Sequence, residues 1–126
     1  MKSRDDLVKE IASLIVNNPR YVDEEWDSLS VTVCFDPPSI WTGGIMYLGE
    51  EYKSGPPRGV ELEKKMSEFR NLMTEEDGHE WIVCLIKVSA MTHSIDIDFE
   101  YEDVERWKLT PTLDKDELRA YAMSIR

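Results

Sequence analysis

A chain of 126 residues is long enough to enclose one hydrophobic core and too short to divide sensibly into two. Hydrophobic residues at 41% and charged residues at 33% leave enough Leu, Ile, Val and aromatic side chains for a packed interior, which excludes disorder along the whole length. The 26 acids against 15 bases give a formal net charge of −11, a balance that would repel a nucleic-acid backbone or an anionic membrane and attract a basic protein.

Ser3 and Asp6 have the spacing of a capping box, and Leu7, Ile11, Leu14 and Ile15 follow at helical intervals. A first helix is expected over Arg4–Asn17, ended by Asn18-Pro19 because proline disfavours helical geometry in the residue before it. From Tyr21 to Ser28 the acids Asp23, Glu24, Glu25 and Asp27 surround Trp26 and read as an exposed acidic linker. Leu29, Val31, Val33 and Phe35 then alternate with Ser30, Thr32, Cys34 and Asp36, the pattern of a half-buried strand stopped by Pro37-Pro38. A second strand is expected over Ile45–Leu48, begun flexibly at Gly43-Gly44 and left at Gly49, with Glu50–Gly59 as a loop.

Leu62, Met66, Phe69 and Met73 fall on one face of a helix from Gly59 to Glu76, closed by Asp77-Gly78. Trp81–Val88 is almost continuously apolar, as befits a central strand, and Ser89–His93 forms the following turn. Ile95, Ile97, Phe99 and Tyr101 next alternate with Asp96, Asp98, Glu100 and Glu102, so one side of that strand is apolar and the other carboxylate. Trp107 and Leu109 fold back on the core before Pro111; Asp114 and Glu117 cap a last helix whose stripe is Leu118, Tyr121, Ala122 and Ile125. The order α-β-β-α-β-β-α predicts a single α+β domain spanning 1–126, with one antiparallel sheet of about four strands packed with three helices.

No stretch approaches the roughly 18 apolar residues that cross a bilayer. Asp5 and Asp6 occupy the position where a secretory signal would be apolar, so a cytoplasmic protein is expected, with Cys34 and Cys84 as reduced core fillers. The spacing of His79, His93 and the two cysteines suits neither a zinc module nor a nucleophile, and no phosphate-binding glycine loop occurs; no catalytic residue, metal or cofactor is expected. Asp96, Asp98 and Glu100 could form a solvated face, a protein-binding ridge or, as the alternative, the carboxylate set of a small metal-binding or enzymatic domain. Trp41, between a Pro-Pro turn and a Gly-Gly pair, reads as an exposed anchor, and Glu50, Glu51 and Tyr52 join two charges to an aromatic ring. The expected partner-binding residues are therefore Trp41, Glu50, Glu51, Tyr52, Asp96, Asp98, Glu100 and Glu102, ahead of the Asp23–Asp27 linker.

Three segments in order carry a likeness: Ser67-Glu68-Phe69-Arg70-Asn71-Leu72-Met73, then Gly78-His79-Glu80-Trp81, then Ile95-Asp96-Ile97-Asp98-Phe99-Glu100-Tyr101-Glu102-Asp103. Over roughly Gly44–Trp107 the chain resembles the YezG-like family of bacterial immunity proteins, antitoxins of secreted polymorphic toxins, with Phe69 where the family has leucine. The resemblance implies a cytoplasmic, non-enzymatic protein that binds the C-terminal toxic domain of a cognate toxin, a basic nuclease, and blocks it. It implies no binding-residue list; an adaptor subunit is the remaining reading. A monomer is expected.

Overall fold

The computed structural model describes residues 2–36, 39–92, 94–107 and 114–126. Its elements run α1 (Arg4–Val16), β1 (Ser28–Asp36), β2 (Ser39–Leu48), β3 (Glu51–Ser54), α2 (Glu61–Asp77), β4 (Val83–Ser89), β5 (Ile95–Glu100) and α3 (Lys115–Ser124). All strand pairings are antiparallel, in the order β3-β2-β1-β4-β5, so the α+β class holds with five strands in the sheet. The additional strand is β3, expected as loop, which pairs Glu51 with Leu48 and Tyr52 with Tyr47 across the tight turn at Gly49. Gly49 takes φ 61°, a left-handed conformation that side chains disfavour.

The helices begin where their caps direct. In α1 the Asp6 amide donates to the Ser3 hydroxyl (3.2 Å) and the Ser3 amide to the Asp6 carboxylate (3.1 Å). Leu7, Ile11 and Ile15 form its buried stripe, and Leu62, Met66, Phe69 and Met73 that of α2. The Glu117 amide donates to Asp114 (2.8 Å) at the start of α3.

The register assigns side chains to faces. Leu29, Val31, Val33, Phe35, Met46, Cys84, Ile86 and Val88 join the α1 and α2 stripes in one core, with Ile95, Ile97 and Phe99 packed at its margin. Opposite them, Ile45, Tyr47 and Leu85 meet Ala122 and Ile125. That second cluster corrects the reading of β1 as half buried. Ser30, Thr32 and Cys34 are as buried as the apolar residues between them, because α3 and the turn after β5 cover the second face. The Ser30 hydroxyl donates to the Ile125 carbonyl (2.7 Å), and the Cys34 thiol lies 3.8 Å from the Val104 carbonyl it faces. Cys34 and Cys84 form no disulfide and are buried on opposite faces of neighbouring strands.

Gly43 and Gly44 also depart from expectation: they lie in the middle of β2, paired with Thr32 and Val31, and the strand starts at Ser39. A Cβ on Gly44 would overlap the Tyr21 hydroxyl and the Gly55 carbonyl, which are bonded to each other at 2.7 Å. The pair marks a close approach of backbone to a buried ring. Tyr21, at the head of the supposedly exposed linker, is fully buried, and its phenol is held protonated by loss of water. Pro37, Pro38, His93, Leu109 and Pro111 lie outside the described residues.

Candidate protein-binding surfaces

Three aromatic residues far apart in the sequence converge. Phe69 from α2, Trp81 before β4 and Phe99 from β5 stack with centroids 6.1 Å (Phe69–Phe99) and 5.5 Å (Trp81–Phe99) apart, and Phe35 meets Trp81 edge-on at 5.2 Å. Arg70 donates to the Trp81 carbonyl, pairs with Glu80 at 2.9 Å and lies 4.7 Å above the Phe35 ring. Those residues hold α2 to the sheet and leave the partner surface to be sought elsewhere.

The carboxylate row of β5 divides in two. Asp96 and Asp98 are exposed on the α3 side of the sheet and form no ion pair among the described residues. Glu100 is engaged: one oxygen accepts from Arg106 (2.7 Å), the other from the backbone amides of Tyr101, Glu102 and Asp103 at 3.1, 3.0 and 3.3 Å. Those bonds, Arg106 foremost, pull its pKa down to about 2. Glu100 thus staples the turn in which the chain leaves the sheet, and Glu102, expected on the same row, lies in that turn beyond the strand end. A groove of about 360 Å³ beside it is lined by Lys87, Asp98, Arg106 and Ser124.

Glu50, Glu51 and Tyr52 surround a second groove of about 530 Å³ whose other wall is Lys115, Asp116 and Arg119 of α3. The Tyr52 ring is half buried against the Ile45 and Tyr47 cluster. Trp41 does not join them. It lies in β2, roughly 20 Å along the strand from Tyr47 at about 3.3 Å per residue. The register sets it instead in one cross-strand row with Cys34, Val83 and Glu100, half buried and not on a loop.

The acidic linker has more structure than its sequence suggests. Asp27 accepts from the Gly49 amide (2.6 Å) and Glu24 lies 3.4 Å from Lys53, so the linker is fastened to the β2–β3 turn. Trp26 forms one wall of an apolar pocket of about 400 Å³ with Ala12, Val16, Val88 and Ala90. Sequence reading missed that pocket: its walls come from α1, the linker and the end of β4, and only the period of α1, continuing past its buried stripe to Ala12 and Val16, hints at it.

Among the described residues no three His, Cys, Asp or Glu side chains come together in a way that could hold a metal ion, and no helix is long and apolar enough to cross a membrane. No family model matches the chain, and no curated protein matches it.

Proposed function

We propose that the chain is an immunity protein that binds and neutralises the toxic domain of a secreted bacterial toxin, acting in the cytoplasm by occlusion and not by catalysis. The observation that carries this reading is the outward display of charge. Asp96, Asp98 and Glu51 stand exposed on strands whose alternate side chains pack on the core, and Glu50 in the turn before β3, within a net charge of −11. Carboxylates carried on a backbone that the core holds in place suit a basic cleft such as a nuclease presents to phosphate, since docking has to order the side chains but not the backbone beneath them. The ordered likeness to the YezG-like family supports it, because its aromatic residues Phe69, Trp81 and Phe99 pack together while Asp96 and Asp98 of the same segments stay exposed to match a toxin.

Co-expression with the C-terminal domain of a toxin encoded beside this gene tests the reading. Cells should survive with the chain and die without it, and the purified pair should associate more slowly as salt rises, because the field reaches only about 8 Å near physiological ionic strength. Death of the cells despite soluble expression of the chain would refute the assignment.

A further inference from the structure

The two edges of the sheet are not equivalent. On one side β3 is four residues long and runs into Pro56-Pro57, with the Arg20 side chain donating to the Pro56 carbonyl at 3.1 Å. A short strand followed by proline is a poor template for further pairing. On the other side β5 runs for six residues with no further strand bonded to it among the described residues.

The phase of its free groups follows from its bonds to β4. The Ser89 amide donates to the Ser94 carbonyl (3.0 Å) and the Ile82 amide to the Glu100 carbonyl (2.9 Å), so the even-numbered residues from 94 to 100 turn their backbone groups inward. The N–H and C=O groups of Ile95, Ile97 and Phe99 therefore point out of the sheet. Side chains alternate in step. Ile95, Ile97 and Phe99 are half buried toward α1 and α2, while Asp96 and Asp98 stand exposed and unpaired toward α3.

We propose that the β5 edge docks an extended antiparallel strand of a basic partner protein, with Lys or Arg opposite Asp96 and Asp98 and apolar residues opposite Ile95, Ile97 and Phe99. The inference rests on the reading of the chain as a protein-binding module and supplies its docking mode. Main-chain bonds to the edge give affinity and the alternating side chains give selectivity. A second copy is disfavoured as the occupant: antiparallel pairing about Ile97 would place Asp96 and Asp98 of the two copies directly opposite one another, and like charges so placed repel.

The test uses the full-length, isotope-labelled chain and a synthetic peptide alternating lysine with valine, blocked at both ends. In the proposed pairing the valines face Ile95, Ile97 and Phe99, so valine N–H groups point at β5 and lysine N–H groups point away. At millimolar peptide the amide signals of Ile95, Ile97 and Phe99 should shift and their hydrogen exchange should slow. Methylating the valine nitrogens should abolish binding and methylating the lysine nitrogens should leave it intact. Replacing both aspartates (Asp96→Lys with Asp98→Lys), exposed and so harmless to folding, should weaken the unmodified peptide by about tenfold or more. No binding, shifts centred on the Asp23–Asp27 segment or the α3 groove, or binding unaffected by valine methylation would overturn the proposal. The assay needs no toxin, so its failure leaves immunity standing, while death of co-expressing cells with peptide binding intact would remove immunity alone.

Discussion

The two faces of the sheet are held by different means. Toward α1 and α2 the contact is mainly apolar, with an aromatic cluster at one end, polar bonds only from Arg70 and Tyr21 at its margins, and no buried side-chain hydroxyl from the described strands. Toward α3 the apolar contact shrinks to Ile45, Tyr47, Leu85, Ala122 and Ile125, and side-chain to backbone hydrogen bonds take over. Ser30 donates to Ile125, Tyr47 to Ala122 and Tyr121 to Trp107 (2.6 Å), while Arg126 donates to Gly49 (2.7 Å) and lies over the Tyr47 ring. The first face is a core in the ordinary sense; the second is a helix latched by a few directional bonds. Loss of water around the two phenols raises the pKa of Tyr47, and that of Tyr121 to about 12.

The contrast can be broken at its strongest point first. Phe69→Ala removes a ring buried between α2 and Phe99 and should cost about 3–5 kcal/mol through lost transfer energy and a residual cavity, read as a fall in the denaturation midpoint. An unchanged midpoint would mean the first face is not the main core. Gly44→Ala drives a methyl into the Tyr21 hydroxyl and the Gly55 carbonyl, and overpacking of that kind should cost about 1–3 kcal/mol in the same measurement.

Tyr47→Phe sharpens the comparison. It leaves the buried Ala122 carbonyl without its donor and should cost about 1–2 kcal/mol. Amide exchange should quicken in α3 while α1 stays protected; equal loss in both would show that the two faces open together. The smallest effect is expected at Glu100→Gln. The Glu100 carboxylate is bound more tightly as an anion in the folded chain than in the unfolded one, so its contribution to stability is complete above the ordinary value of 4.5 and disappears as pH falls through about 2. Wild type should exceed the variant in thermal stability near neutral pH, and the gap should close between those values. A gap that persists at the lowest pH would assign the loss to packing.

The first face was legible because its residues repeat at the periods of helix and strand: Leu62, Met66, Phe69 and Met73 needed no tertiary knowledge to be placed inside. The second was not. Ser30 and Thr32 look like an exposed row, and only α3, from the far end of the chain, and the turn after β5 bury that face. Gly43 and Gly44 misled for a related reason, since a glycine that makes room for a distant tyrosine reads locally as a turn. Among the binding candidates, Asp96 and Asp98 are presented as their alternation implied. Glu100 is occupied by amides and a guanidinium that follow it in the chain, and Trp41 lies at the other end of β2 from Glu50, a separation that strand boundaries alone determine.

The latch also bears on the order in which the molecule assembles. The Ser30–Ile125 and Tyr47–Ala122 bonds join residues 95 and 75 positions apart, and their two donors are brought side by side by the pairing of β1 with β2. Closing so long a loop costs chain entropy that a paired sheet helps to offset, so α3 is expected to dock after the folding barrier. Substitutions in the latch should then leave the refolding rate nearly unchanged and quicken unfolding, whereas Phe69→Ala should also slow refolding. Stopped-flow rates of the Tyr47→Phe and Phe69→Ala variants would separate the two behaviours, and slowed refolding in Tyr47→Phe would place the helix in the nucleus.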